Sequence, residues 1–175
     1  IVAGTHDSQQ MDDATYRSLL DRVKDGARLI VLDHADTWAE AIDAALHTKP
    51  PLYNGGGIVN RGHRGRYFTG YSPFLDGLPQ AQAMNWEYQC FYQTRELRRS
   101  GNVSGLDLNH WHMEPIVAMS HQHTKDILIS LARVPVGSGE ILLTTMNFLY
   151  RLGDNSPQSA VAKKLFLNLI EVKEK

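Results

Sequence analysis

The feature that most constrains this chain is a change of hydrophobic period, repeated twice within its first fifty residues. Over residues 12–25, Tyr16, Leu19, Leu20 and Val23 recur at i, i+3, i+4 and i+7, which is one face of a helix. Asp12 is placed to cap its start, and Gly26 to end it in a left-handed turn. Arg28-Leu29-Ile30-Val31-Leu32 follows, short, apolar and closed by Asp33. A strand covered on both faces reads this way. A second helix is predicted over 37–47, capped by Asp36, with Trp38, Ala41, Ile42, Ala45 and Leu46 on its inner side and Pro50-Pro51 beyond its end. The opening Ile1-Val2-Ala3-Gly4, which carries no Met, reads as the tail of a further strand. The expectation is one domain over 1–175, cut from a longer polypeptide. Strand, helix, strand, helix implies right-handed crossovers and a parallel sheet.

The middle of the chain breaks this regularity. Between 53 and 112 glycines and prolines are frequent: Asn54-Gly55-Gly56-Gly57, then Gly62, Gly65, Gly70, Pro73, Gly77 and Pro79. Aromatic residues are dense in the same stretch (Tyr67, Phe68, Tyr71, Phe74, Trp86, Tyr88, Phe91, Tyr92). Aromatics at that density pack on something, so ordered loops and short strands are expected rather than disorder. Regularity returns with strands expected over 116–119, 127–134 and 140–145. Gly137-Ser138-Gly139 turns the last two into an antiparallel hairpin. A final helix is predicted to be capped by Ser156, with Pro157 at its first position and Val161, Leu165, Phe166, Leu169 and Ile170 on its apolar side. The fold class that results is α/β: a three-layer sandwich of flavodoxin-like type, its sheet mostly parallel with an antiparallel C-terminal hairpin.

Charge excludes one class of partner. Lys plus Arg number 18 and Asp plus Glu 19, for a net charge of −1. That balance offers no basic stripe for nucleic acid; the cluster Arg95, Arg98, Arg99 reads as a solvated face. No run approaches the ~20 apolar residues that span a bilayer. The single cysteine, Cys90, can neither close an internal disulfide nor build a cysteine zinc site. It leaves the compartment open.

Several short segments resemble a known family. Gly26-Ala27-Arg28-Leu29-Ile30-Val31-Leu32 after an amphipathic helix resembles the second strand of the class I glutamine amidotransferase-like fold. Ser72-Pro73-Phe74-Leu75-Asp76-Gly77-Leu78-Pro79 is similar to a turn of such domains. Gly137-Ser138-Gly139-Glu140-Ile141-Leu142-Leu143-Thr144-Thr145, followed by a helix ending Leu167-Asn168-Leu169-Ile170, is similar to their closing segment. The combination resembles the flavodoxin-like domains appended to bacterial β-galactosidases and other multidomain glycoside hydrolases, family 2 types in particular. The resemblance implies an accessory domain of a carbohydrate-active enzyme, and a periplasmic or extracellular setting. The active members of the family carry a cysteine on a Gly-x-Cys-x-Gly elbow with a His-x-Glu pair. His112-Met113-Glu114 echoes the pair, but Cys90 lies in Tyr88-Gln89-Cys90-Phe91-Tyr92, without glycines and between bulky rings. A thiol so placed reads as a small core residue, and no catalytic residue is assigned.

Candidate binding residues are drawn from three places. Gly55, Gly56 and Gly57 could cradle an anion with freed backbone amides, or simply form a tight turn at the carboxyl edge of the sheet. No Gly-x-Gly-x-x-Gly or Gly-Lys-Ser/Thr accompanies them, so no cofactor is expected. Asn85, Trp86 and Tyr88 could stack on and hydrogen-bond a sugar, or be core and interface residues. His110 and His112, like His121 and His123, would share a face if on a strand, and with Glu114 could approach a metal; the spacing matches no metal motif and none is assigned. The expected function is therefore packing against other domains of the same polypeptide, oligomerisation or shaping of a substrate cleft, and both a homo-oligomer and a carbohydrate are further partners it allows. Two other readings remain open: a small-ligand module for sugar or metal, and a free-standing hydrolase or amidotransferase with an atypical nucleophile.

Overall fold

A computed structural model describes residues 1–4, 11–61, 65–84, 86–91, 103–121, 123, 126–157 and 159–172, with the side chains of Trp86, Gln89 and His110 outside that description. The arrangement starts from β2 (Arg28–Val31), whose residues alternate between two hydrophobic clusters: Leu29 and Val31 face one, Ile30 and the following Leu32 the other. A strand apolar on both faces must be covered on both faces. On one side lie α1 (Asp13–Lys24) and α2 (Ala35–Leu46), which contribute Tyr16, Leu20, Val23, Trp38 and Ile42. On the other lie α3 (Phe148–Leu152), α4 (Ser159–Glu171) and the short 3-10 helices Pro73–Leu75 and Trp86–Phe91, which contribute Phe148, Leu165, Leu169, Phe74, Tyr88 and Phe91. The chain is thus a mixed α/β protein with helical layers on both faces of its sheet.

The sheet contains β1 (Val2–Ala3), β2, β4 (Gly65–Thr69), β6 (Glu114–His121), β7 (Ile127–Val136) and β8 (Gly139–Thr144), in the order β1-β2-β8-β7-β6-β4. β1, β2 and β8 pair in parallel; β8-β7, β7-β6 and β6-β4 pair antiparallel. Hence β1, β2, β8 and β6 share one direction. The hairpin expected around Gly137-Ser138-Gly139 is β7–β8, and the antiparallel part continues beyond it to β4. A separate ribbon pairs β3 (Val59–Arg61) with β5 (Val103–Gly105), and Leu106 bridges to Ile129 of β7.

The local chemistry follows the sequence closely in α1. Asp12 Oδ1 accepts from Thr15 N at 2.7 Å, and that bond holds the carboxyl below its usual range. Gly26 has φ +110°. Three expectations are corrected. Asp36 does not cap α2: the cap position is His34, in left-handed conformation at φ 52°, ψ 39°. The turn is held by Asp33 Oδ1, which accepts from His34 N at 2.8 Å. Ser156 does not cap α4, which begins at Ser159. Asp154 instead takes the Ser156 N–H and O–H, closing a local turn at 2.9 and 2.6 Å. His110–His112 is a 3-10 turn rather than a strand, because Asn109 Oδ1 accepts from Trp111 N and folds the backbone back.

Candidate functional site

The carboxyl ends of β2 and β8 open into a cleft of about 430 Å³. In open α/β sheets this edge is where ligands settle. Here it is walled by Asp33 and His34 from the β2–α2 turn, Asn60 from β3, and Asn147 and Tyr150 from the β8–α3 turn and α3.

Its floor is a closed set of hydroxyls. Ser104 Oγ donates to Thr145 O at 2.7 Å, Thr145 Oγ1 to Ser104 O at 2.8 Å, Ser130 Oγ to Ser104 O at 2.6 Å and Thr144 Oγ1 to Ser130 O at 3.0 Å. The Ser104 N–H is taken by the Tyr67 hydroxyl at 3.1 Å. Four side-chain protons thus end on backbone carbonyls. These bonds lock β5 onto the ends of β7 and β8, where the chain leaves the ladder, and satisfy groups that burial would otherwise leave bare. They also remove the hydroxyls from nucleophilic use, since a serine or threonine is activated by giving its proton to a base. The imidazole in the cleft, His34, has its Nε2 at 3.9 Å from Asp33 Oδ2 and is well exposed. Among the described residues no hydrogen bond joins it to the hydroxyls of the floor, which donate to backbone carbonyls.

The cysteine lies elsewhere. Cys90 is buried in the opposite cluster beside Phe91 and Ala162, and burial pushes its thiol up to about 11. Its carbonyl accepts from Arg151 Nε at 2.7 Å, so the residue anchors the 3-10 helix Trp86–Phe91 to α3. Tyr88 is fully buried and donates its hydroxyl to Pro79 O. Its ring packs against Phe91 and offers no face to a sugar; of the two readings of Tyr88, the core is the one it occupies.

The remaining sequence candidates fall apart in space or outside the description. Gly55, Gly56 and Gly57 have φ of +79°, +102° and +69°. Their turn is tied by Gly57 N donating to the Tyr53 hydroxyl, and Asp36 Oδ2 stands 3.9 Å from where a Cβ on Gly57 would lie. A carboxylate at that position opposes an anion cradle. Asn85 lies outside the described residues, as do the side chains of Trp86 and His110. His112 is half-buried, with its Nε2 buried and without a hydrogen-bond partner. The rings of His121 and His123 lie 5.4 Å apart. Among the described residues no group of three His, Cys, Asp or Glu is arranged to hold a metal ion, and no helix is long and apolar enough to cross a membrane.

The cleft residues Asp33, His34, Asn60, Asn147 and Tyr150 were not among the sequence candidates. One signal pointed toward two of them: polar residues directly after an apolar strand, as in Leu32-Asp33-His34, fall at the carboxyl edge. No family model matches the chain, and no curated protein matches it.

Proposed function

We infer that the chain is a non-catalytic accessory domain of a carbohydrate-active enzyme, a glycoside hydrolase, in which it serves domain packing, oligomerisation or the shaping of a cleft. The observation that carries this reading is the state of its nucleophiles. The Cys90 thiol is buried and held protonated, and the hydroxyls at the carboxyl edge donate to backbone carbonyls. The resemblance supplies the parent enzyme. Two of the segments that carry it, the Ser72–Pro79 turn and the end of α4, are in direct contact through Asn168. Tyr71, Trp111 and Ile127 stand 87%, 74% and 70% exposed, surface of the kind a neighbouring domain covers. The flavodoxin-like assignment belongs to this reading as well.

The test is the reading frame that encodes the domain, together with an assay of the isolated chain. A glycosidase barrel in the same polypeptide, and no glutaminase or glycosidase turnover by this chain alone, are expected. Turnover that disappears on replacing His34 or Cys90 would overturn the reading.

A further inference from the structure

The cleft at the carboxyl edge combines a fixed floor with walls that carry several uncommitted polar groups. Among the described residues the side-chain amides of Asn60 and Asn147 make no hydrogen bond; Asn147 precedes α3 without capping it. Asp33 Oδ2 has His34 Nε2 at 3.9 Å, beyond hydrogen-bond length. Two amides, a carboxylate oxygen and an imidazole therefore face one space of about 430 Å³, a size within the range of about 300–1,000 Å³ that holds small ligands.

Charge narrows the ligand. Asp33 is in the cleft and Asp36 sits in the first turn of α2, so an anion would meet carboxylates where it would seek the helix N-terminus. A bound cation would want several acidic ligands, and among the described residues no such group exists. A neutral ligand rich in hydroxyls fits both facts. Tyr150 adds the apolar component. Its ring is 67% exposed, and the Arg151 guanidinium lies over it at 4.8 Å from the centroid. Arg151 is itself held by Cys90 O and Asp154. The ring is thus braced by a fixed guanidinium while most of the residue stays open to solvent.

We propose that this cleft binds a neutral sugar ring, with Asp33, His34, Asn60 and Asn147 bonding its hydroxyls and Tyr150 taking its C–H face. The proposal deepens the accessory-domain reading, and rests on it only for the choice of a sugar among polyols. The floor of Ser104, Thr144 and Thr145 makes the site rigid, so ligand binding need not order it first.

The experiment is a nuclear magnetic resonance titration of the chain with D-galactose, D-glucose, D-xylose and lactose, with inorganic phosphate and calcium as charged probes. Saturable shifts concentrated at the amides of Asp33, His34, Asn147 and Tyr150 are expected for at least one sugar, with a dissociation constant of about 1–10 mM. Tyr150→Ala and Asn147→Ala each weaken that binding about tenfold or more while leaving distant resonances in place. No saturable shift by any of the four sugars at about 100 mM overturns the proposal, as does equal binding by wild type and both variants. Shifts at these residues with phosphate or calcium alone overturn it too. Sugar binding accompanied by turnover in this cleft would sink the accessory-domain reading and leave the sugar site standing. Absent binding in a chain shown to lie beside a glycosidase barrel does the reverse.

Discussion

Asn168 on α4 donates both N–H bonds of its side-chain amide to the turn at Pro73–Leu75, one to Phe74 O at 2.9 Å and one to Asp76 O at 2.8 Å. The residue is 4% exposed; its bond to Phe74 O is buried and that to Asp76 O part-buried. Replacing it by Ala or Leu leaves the buried Phe74 carbonyl unpaired and the Asp76 carbonyl without its protein partner. We expect Asn168→Leu to destabilise the chain by about 2–4 kcal/mol in urea unfolding. A loss below about 0.5 kcal/mol would mean that the turn does not depend on this clamp.

A second relationship crosses the other end of the sheet. Glu140 of β8 receives Arg28 Nε and Arg133 Nε at 2.5 Å each. Arg28 also donates to Leu169 O at 2.8 Å and to Val172 O, so Glu140 holds the cation that closes the C-terminal end of α4. Its side chain is 11% exposed and those of the two arginines 19% and 22%. Removing one partner of a fully buried pair costs about 3–5 kcal/mol; partial solvation of the arginines lowers the expected cost of Glu140→Gln to about 1–3 kcal/mol. Glu114, which meets Arg133 at 3.2 Å with 47% of its side chain exposed, serves as the control. Glu114→Gln should stay within about 0.5 kcal/mol.

Two glycines should behave oppositely. A Cβ at Gly139 would overlap Val23 O and Ala27 O at the end of α1, whereas one at Gly153 meets nothing within 4 Å. Gly153 also has φ −80°, which any residue adopts. Gly139→Ala is expected to cost about 3 kcal/mol, and Gly153→Ala to be neutral or stabilising by about 0.5 kcal/mol. Thermal melts of the two variants decide the matter; similar midpoints would contradict the close approach of α1 to the β7–β8 turn.

Alkaline pH should weaken the fold. Burial raises the Cys90 thiol from 9.0 to about 11 and the Tyr88 hydroxyl from 10.0 to about 12. Both groups keep their protons more tightly folded than unfolded. Stability from them is whole below pH 9, and is lost as pH rises first through 9–11 and then through 10–12, because the unfolded chain ionises first. Denaturant midpoints should therefore fall above pH 9, less steeply in Cys90→Ala over the first of those windows. The same thiol should resist alkylation at pH 8 in the folded chain and react once urea unfolds it. Prompt labelling of native protein would contradict its burial.

How much of this was legible depends on sequence distance. The period of Tyr16, Leu19, Leu20 and Val23 placed α1, and the apolar run at Leu29 placed β2, because both signals are local. The hairpin was legible for the same reason, although Gly137-Ser138-Gly139 looked like a demand of turn geometry alone. The structure adds that α1 presses on it, with a Cβ at Gly137 standing 2.6 Å from Lys24 O. The start of α2 was misread because Asp36 is a good cap in isolation, while the neighbouring Asp33 holds His34 in the left-handed region. The middle was opaque because its order is set from far away: β3 meets β5 at Val59 and Gly105, and β4 meets β6 at Gly65 and His121. The cleft combines both difficulties. Its residues come from the β2–α2 turn, β3, β5, the end of β8 and α3, and no spacing in the sequence brings Asn60 near Tyr150.

The place of β8 has a consequence for how the chain is made. It is the last strand among the described residues, yet it lies in the middle of the sheet, with Arg28–Val31 on one side and β7 on the other. A ribosome that has released everything before Gly139 has delivered β1 and β2 with an open edge and the meander of β4, β6 and β7 with another. Neither can join the other until the strand between them emerges. Until β8 emerges, two unpaired borders therefore stay exposed, the interval in which such a fold is most open to mispairing and most in need of a chaperone.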